Sequence, residues 1–327
     1  MTKKSIDPFY QIITSRVPSY MLQIAAEVNI FEFIGEHGTT VETLAQSSRL
    51  PVSSTRVLAQ YLCGLKLLKR KKDRIHHTDA SRQILSDKSI QNELIGFGNA
   101  ITFSSIKNLI ESPKKQPWYR MRNEKKGIVD VEGISKPFFI SRMHHDWRIN
   151  KGRELAGIYP FNNHKRLLDI GGASGGWCIG IKELFPQLQC NVFDLPEVCQ
   201  LCESQFPELT SMKINFVRGN IFEDPLPSGA DVILLANVLH DWSVDDGRTI
   251  LTKVYDALPE GGVVLASELF LNDTWEKPLD FMYQGITVLG PDGESGWQPS
   301  FDEMEELVSS SGFGTVKRES NLIIGIK

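Results

Sequence analysis

Apolar residues change their spacing about halfway along the chain. In the first part they recur every three or four positions, which is the periodicity of amphipathic helices. From Arg166 onward, short apolar runs alternate with helical segments, an order typical of a mostly parallel sheet with helices on both faces. The predicted strands are Leu167–Ile170, Cys190–Phe193, Ile214–Arg218, Val232–Ala236, Val263–Leu269, Thr315–Arg318 and Asn321–Ile326.

Short helices are predicted at the start of the chain. Pro18–Phe33 has a helical period, and Thr40 and Thr43 are candidate caps of the helix that follows. The apolar face of the first helix is predicted at Met21, Ile24, Ala25, Val28 and Phe31. A third helix begins at Pro51, with its apolar residues at Val57, Leu58, Tyr61, Leu62 and Leu65.

A charged segment, residues 69–77, follows these helices and predicts a hairpin between two short strands. Two helices followed by a charged hairpin is the order of a winged helix. The basic residues of the hairpin could bind DNA, or they could lie in solvent on a domain used for dimerisation. We expect dimerisation, because the rest of the chain has the pattern of an enzyme domain.

Composition narrows the class of protein. The chain has 327 residues, 41% of them apolar and 23% charged, as in ordinary globular proteins. A formal net charge of −4 argues against a nucleic-acid partner, and no apolar run is long enough to span a membrane. The N-terminus lacks the apolar core of a signal peptide, and the five cysteines have no framework spacing. We therefore expect a cytoplasmic protein with reduced thiols.

A glycine-rich turn directly after the first predicted strand is the most informative segment. Asp169 lies at the end of that strand, and Gly171, Gly172 and Gly175 follow within a few residues. Glycines at this point let the backbone approach a ligand. The next predicted strand leads into Asp194, at the distance expected for an acid that binds the ribose hydroxyls of a nucleotide.

The charge of Asp169 indicates which kind of nucleotide binds. A diphosphate prefers bare N–H groups at a helix N-terminus, and a carboxylate beside them would repel it. S-adenosylmethionine (SAM) carries an ammonium and a sulfonium group, so it suits Asp169 better. The segment therefore predicts a SAM site, and a tight turn without any ligand is the alternative.

A second cluster comes directly after the strand Val232–Ala236. His240, Asp241 and Trp242 are expected at the carboxyl end of the sheet, where open α/β folds bind their ligands. An imidazole at this edge suits proton abstraction near neutral pH. The position alone is equally consistent with a histidine that caps the next helix or binds the backbone.

These motifs resemble the SAM-dependent small-molecule O-methyltransferases of the plant caffeate and microbial polyketide type. The resemblance extends over nearly the whole chain. It implies an α/β fold, with a Rossmann-like class I methyltransferase domain and an N-terminal all-α, winged-helix-like domain that forms a homodimer. The segments that carry it are Leu168–Gly175, Phe193–Pro196, Gly219–Phe222, Leu239–Ser243 and Ala257–Gly262.

The resemblance also implies roles for individual residues. His240 is the general base, Asp241 its neighbour and Glu268 the acid that orients it, while Gln298 occupies the place of a second acid. The SAM-binding residues that it implies are Asp169, Gly171, Gly172, Gly175, Asp194, Leu195, Asn220, Ile221 and Ala236. Two of these depart from the family pattern, since Asn220 replaces an acid and Ala236 replaces Lys or Ser.

The chain is expected to divide into a dimerisation domain at residues 1–95, a helical linker at 96–160 and a SAM-binding domain at 161–327. The linker and the segment after Glu268 should line a slot for a flat acceptor. Candidate side chains for this slot are Phe139, Met143, Trp147, Phe281, Met282 and Trp297.

Three other functions remain open at this point. A metal-assisted C-methyltransferase of a keto acid could take its ligands from the segment 144–146 and from His240–Asp241, although His144 and His145 would point about 100° apart on a helix. A SAM-sensing regulator would use the winged helix on DNA. The third is a SAM-binding protein of the same family in which methyl transfer is altered or lost. We expect a metal-free O-methyltransferase of secondary metabolism that acts on a small, aromatic hydroxyl compound.

Overall fold

The structure is a computed structural model that describes residues 17–84, 95, 104, 107, 142–271 and 298–327. The chain divides into two compact units, residues 1–105 and 106–327. Of the linker predicted for residues 96–160, the C-terminal part is described, and it belongs to the second unit.

The first unit combines short helices with a small antiparallel sheet. Its helices are α1 (Val17–Glu27), α2 (Val41–Ser48), α3 (Val52–Gly64) and α4 (Asp79–Ile84). Its strands are β1 (Thr39–Thr40), β2 (Leu68–Lys71) and β3 (Arg74–His77), in the order β1-β3-β2. Phe31, Leu44, Leu62 and Ile75 form part of a buried apolar core between the helices and the sheet. The predicted order of two helices and a charged hairpin is therefore confirmed.

Three details of the first unit differ from the predictions. The helix predicted for Pro18–Phe33 ends at Glu27, because Asn29 adopts a left-handed conformation (φ 54°) ahead of a short 3-10 turn. Thr40 alone caps α2, since its side chain accepts a hydrogen bond from the Thr43 N–H at 3.2 Å. Four residues of the predicted apolar faces are exposed to solvent: Ile24, Val57, Tyr61 and Leu65.

A seven-stranded sheet forms the centre of the second unit. Its strands are β4 (Arg166–Ile170), β5 (Gln189–Asp194), β6 (Ile214–Arg218), β7 (Val232–Ala236), β8 (Val263–Ser267), β9 (Thr315–Glu319) and β10 (Leu322–Ile326). Their order is β6-β5-β4-β7-β8-β10-β9, and β4 to β8 run parallel. β10 is antiparallel to both of its neighbours, β8 and β9. All seven strands lie where the sequence predicts them, although β8 ends before Glu268.

Helices cover both faces of this sheet, as the sequence predicts. They are α5 (Arg142–Ile158), α6 (Gly176–Leu184), α7 (Pro196–Gln205), α8 (Glu208–Ser211), α9 (Val244–Ala257) and α10 (Phe301–Ser310). Successive strand residues point to opposite faces, so that Leu167 and Leu234 belong to one buried cluster while Leu168 and Leu235 belong to the other. The inner strands β4, β5, β7, β8 and β10 are mostly apolar because both of their faces are buried, whereas β6 and β9 at the two ends of the strand order are more exposed.

Glycines bring α5 and α6 into backbone contact. A Cβ atom added to Gly152 would lie 3.0 Å from the Cα atom of Trp177, and one added to Gly176 would lie 2.8 Å from the carbonyl oxygen of His145. These distances leave no room for a side chain at the crossing. α5 is thereby held directly against the helix that follows the glycine-rich turn.

Candidate active site

The strand order reverses between β4 and β7, and the loops after these two strands touch each other. A Cβ atom on Gly171 would lie 2.9 Å from Cγ2 of Val238, and Gly171 has a φ of 66°, a conformation that favours glycine. The contact joins the glycine-rich turn to the segment that carries His240. Open α/β sheets bind ligands at this kind of crevice.

The glycine-rich turn, residues 171–175, folds over the carboxylate of Asp169. A Cβ atom on Gly172 would lie 2.6 Å from Cγ of Asp169, so only glycine fits at this position. Asp194 binds the other side of the turn. Its two carboxylate oxygens accept hydrogen bonds from the N–H groups of Ala173 and Leu195, each at 2.8 Å. The two predicted acids therefore lie at one edge of the sheet, as expected.

Asp169 is fully buried, and its charge state depends on its surroundings. Burial raises the pKa of this carboxyl to about 7, while the Cys178 thiol at 3.7 Å and the positive charge of Arg148 lower it. Among the described residues, Oδ1 of Asp169 and Oγ of Ser174 are buried and have no hydrogen-bond partner. Buried polar atoms without a partner are uncommon, so these two fit contacts with a polar, cationic ligand.

The segment after β6 is held in place from α9. The Nζ of Lys253 donates hydrogen bonds to the carbonyl oxygens of Ile221 at 2.6 Å and Asp224 at 2.7 Å. Oδ1 of Asn220 accepts from the N–H of Phe222 at 3.0 Å and so closes the turn. Sequence reasoning missed Lys253, because nothing in its helical context separates it from a lysine in solvent.

Ala236 ends β7 and is buried, with Asn237 after it in a left-handed conformation (φ 55°). The N–H of Asn237 donates to the carbonyl oxygen of Ser267 at 2.9 Å, which ties the ends of β7 and β8 together. Ala236 therefore adds backbone and a methyl group to this edge, and no polar side chain.

His240 lies in a 3-10 turn, Leu239–Asp241, and is 6% exposed. Its Nδ1 is 2.5 Å from Oε2 of the buried Glu268. Oε1 of Glu268 accepts hydrogen bonds from the N–H groups of Val238 and Leu239, both at 3.0 Å. The bond to Glu268 places a hydrogen on Nδ1 and leaves Nε2 as the basic nitrogen. The structure thus brings together the predicted base and the predicted orienting acid.

Asn321, in the turn between β9 and β10, fixes the backbone of Glu268. Its Nδ2 donates to the carbonyl oxygen of Glu268 at 2.7 Å. Gln298 binds the next residue, since its Nε2 donates to the carbonyl oxygen of Leu269. Its buried Oε1 has no partner among the residues that the structure describes. Asp241 lies on the other side of the imidazole, with Oδ1 3.5 Å from Nε2 of His240.

The predicted acceptor slot is mostly outside the described residues. Phe139, Phe281, Met282 and Trp297 belong to segments that are not described, and the same holds for the side chain of Met143. Trp147 is partly buried on α5, where its ring contacts His144 edge-on at 5.8 Å between centroids.

The candidate metal ligands on α5 have separate surroundings. His145 is buried, stacks on Phe206 at 4.0 Å and has Nε2 3.4 Å from Oε1 of Glu208. Burial, with a contribution from the charge of Arg148, lowers the pKa of His144 to about 3. Within the described ranges, no group of three or more His, Cys, Asp or Glu side chains could hold a metal ion. The five cysteines are free thiols.

The parallel sheet with its antiparallel β10, together with the glycine-rich turn after β4, defines a class I methyltransferase fold. A family model for the O-methyltransferase domain matches residues 128–314. The chain belongs to this family, whose members take their methyl group from SAM. In the described part of the chain, no helix is long and apolar enough to cross a membrane.

Individual relatives support the assignment. The chain is 31% identical to demethylspheroidene O-methyltransferase of Rhodobacter capsulatus over 98% of its own length and 80% of that protein. It is 37% identical to 3-hydroxy-5-methyl-1-naphthoate 3-O-methyltransferase of Streptomyces sahachiroi, over 42% of this chain and 40% of that protein. Among solved structures, human N-acetylserotonin methyltransferase in complex with SAM has a TM-score of 0.76 at 21% identity, covering 100% of this chain and 99% of the human one.

Proposed function

We propose that the protein transfers the methyl group of SAM to a hydroxyl oxygen of a small aromatic compound, with His240 as the general base. The pairing of His240 with the buried Glu268, next to the glycine-rich turn, is the observation that carries this proposal. Small hydroxylated molecules are the substrates named for the naphthoate and acetylserotonin enzymes to which the chain is similar.

The residues around the turn fit SAM. Two N–H groups hold the carboxylate of Asp194, which with Leu195 would bind the ribose of SAM, and the segment Asn220–Ile221 would border the adenine. Asp169 has a buried oxygen to accept the ligand's ammonium group. When bound, SAM supplies an electrophilic methyl group on a positively charged sulfur. The negative charge at Asp169 and Asp194 complements the net positive charge of that ligand.

His240 would take the acceptor's hydroxyl proton on Nε2, and the oxygen would then bond to the methyl carbon while the bond from that carbon to the sulfur breaks. The electron pair of the broken bond stays on the sulfur and neutralises its charge. Glu268 keeps the ring in the correct tautomer and, with Asp241, stabilises the imidazolium that forms. A phenol with a pKa near 10 is mostly protonated at neutral pH, so a positioned base contributes about 10²- to 10⁴-fold to the rate.

The test uses 3-hydroxy-5-methyl-1-naphthoate and N-acetylserotonin as acceptors. The readouts are the formation of S-adenosylhomocysteine (SAH), which is SAM without its transferred methyl group, and the mass of the product. We expect the wild-type protein to form a methyl ether and His240→Gln to lose about 10²- to 10⁴-fold in rate while SAH binding is kept. His37→Gln, on an exposed histidine of the first unit, is the control and should be fully active. An unchanged rate in His240→Gln would rule out the histidine as the base.

The proposal includes a homodimer formed through the first unit. Tyr20 and Ile24 on α1 and Val57 and Tyr61 on α3 are large apolar side chains that are each about 40% exposed. At the C-terminal end of α3, Gln60, Tyr61, Gly64 and Leu65 line a shallow, open depression. Sedimentation equilibrium should give a dimer, and Tyr61→Lys should shift the equilibrium towards the monomer.

A further inference from the structure

The thiol of Cys178 lies against the carboxylate of Asp169, the acid near the end of β4. Cys178 is in the first turn of α6, and both side chains are fully buried. Its Sγ donates a hydrogen bond to Oδ2 of Asp169 at 3.7 Å. The same oxygen borders the glycine-rich turn, because a Cβ atom on Gly172 would lie 2.5 Å from it. Oδ2 is therefore held between the turn and α6.

The second oxygen of Asp169 has different surroundings. Oδ1 is buried and has no hydrogen-bond partner among the residues that the structure describes. A buried acceptor without a partner costs free energy, so an oxygen of this kind is expected to meet a ligand. One oxygen of the carboxylate is thus bound by the protein, and the other is left for the ammonium group of SAM.

Cys178 is a protonated thiol and hence a donor. Its hydrogen bond with the thiol of Cys190 on β5, together with burial, holds the pKa of Cys178 well above its usual range. A thiol is a weak donor compared with a backbone N–H group. Asp169 differs in this respect from Asp194, whose carboxylate accepts from two N–H groups. Cys178 therefore orients Asp169 while stabilising its negative charge only modestly.

Burial and three neighbouring side chains together determine the charge of Asp169. Burial has the largest effect and raises the pKa of this carboxyl to about 7. The hydrogen bond from Cys178 lowers this pKa, the negative charge of Asp194 raises it, and the positive charge of Arg148 on α5 lowers it. A carboxyl in this range is largely protonated at about pH 6 and largely ionised at about pH 8.5.

We infer that Cys178 is a positioning residue, which fixes Oδ2 of Asp169, directs Oδ1 to the ammonium group of SAM and thereby sets the pH range in which the ligand binds. The inference rests on the proposed SAM site. The ammonium group pairs with the ionised carboxylate, so below neutral pH binding has to release the proton of Asp169 to the solvent. The hydrogen bond from Cys178 stabilises the ionised form and makes this release easier.

The test measures the affinity for SAH by calorimetry at about pH 6 and about pH 8.5. Cys178→Ala removes the donor and should weaken SAH by about three- to tenfold at the lower pH. At the higher pH the carboxyl is ionised in both proteins, so the affinities should agree within about twofold. Cys178→Ser supplies a hydroxyl donor and should bring the affinity at the lower pH to within about twofold of wild type or above it.

Proton release is the second readout. Titrations at about pH 6 in buffers of different ionisation enthalpy give the number of protons that leave the protein on binding. Asp169→Asn should release about one proton fewer than the wild-type protein, which assigns the released proton to this carboxyl. Ile181→Val is the control, because it trims another buried side chain of α6 and keeps every hydrogen-bond donor. It should change the affinity by the same factor at both pH values.

The outcomes separate the inference from the proposed function. If Cys178→Ala weakens SAH equally at both pH values, or at neither, the thiol only fills space and the inference is wrong. If Cys178→Ala does not fold, Cys178→Val fills the space without a donor and is measured against the same expectations. A wild-type protein that binds SAH at neither pH would overturn the proposed SAM site itself.

Discussion

The two carboxylate oxygens of Glu268 make different contacts. One binds the imidazole of His240, and the other binds the backbone at the start of the turn that carries His240. The first oxygen lies 2.5 Å from Nδ1 of the imidazole, and the second accepts from the N–H groups of Val238 and Leu239. Position and tautomer of the histidine thus depend on one buried side chain. Because Val238 also touches Gly171, the same carboxylate fixes the base relative to the glycine-rich turn.

Glu268→Gln should therefore impair the base more than it impairs cofactor binding. An amide can still accept from the two N–H groups, but it stabilises the imidazolium poorly. We expect kcat to fall by about 10²-fold or more, with the Kd for SAH within about threefold of wild type. Glu260→Gln, at an exposed position, should have no effect on either quantity. A variant with normal kcat would show that the pair has no part in proton transfer.

Asp169→Asn should stabilise the fold and weaken the binding of SAM. The folded-state pKa of Asp169, about 7, lies above its usual 3.8, so the wild-type protein loses stability as the pH rises from about 4 to 7. The amide removes this loss, and the gain in unfolding free energy should reach about 1–4 kcal/mol at about pH 8. SAM affinity should fall, because the amide cannot pair with the ammonium.

Urea unfolding of both proteins at several pH values checks this prediction. The difference in unfolding free energy should at least double between about pH 5 and pH 8. If the gain in unfolding free energy of Asp169→Asn does not change with pH, the folded-state pKa of Asp169 is not raised in the ligand-free protein.

Two glycines of α5, one at the crossing with α6 and one away from it, offer a matched pair of substitutions. Gly152→Ala places a methyl group against the backbone of Trp177 and Gly180 and should cost about 2 kcal/mol or more. Gly157→Ala, in the same helix, meets nothing within 4 Å and should leave stability unchanged or raise it by up to about 1 kcal/mol. Thermal unfolding measures both. Equal effects of the two changes would contradict the close contact of the helices.

Lys253 provides a test of the segment after β6. Lys253→Met removes the donor to the carbonyl oxygens of Ile221 and Asp224 and should cost about 1–3 kcal/mol. Because this segment is proposed to border the adenine, the Kd for SAH should rise too. Arg248→Met, which removes only an exposed pair with Asp245 on the same helix, should change neither value appreciably. A rise in Kd in both variants would point to a general effect of lost charge.

Local patterns were enough to predict much of this architecture. The inner strands of the large sheet are apolar runs, because they are buried on both faces, and the acids and His240 come where those runs end. The run Val263–Leu269 predicts a strand that is too long. Glu268 leaves the sheet to bind the turn of His240, a contact that no local pattern encodes.

The residues that sequence reasoning missed act across long distances in the chain. Arg148 and Gly152 matter because α5 crosses α6, and Lys253 matters because α9 lies over the segment after β6. None of these contacts leaves a periodic signal. In the first unit the converse holds, because helical spacing places Ile24 and Tyr61 on apolar faces without telling a buried position from an exposed one.

The position of β10 has a consequence for how the protein is made. β10 comes last among the described strands, yet it pairs with β8 inside the sheet, and Asn321, directly before it, donates a hydrogen bond to the carbonyl oxygen of Glu268. Before residues 322–326 are synthesised, the backbone N–H and C=O groups along one edge of β8 lack the partners that β10 provides. Until β9 and β10 have formed, this edge of β8 is open to pairing with another chain, and the hydrogen bond from Asn321 to Glu268 is absent as well.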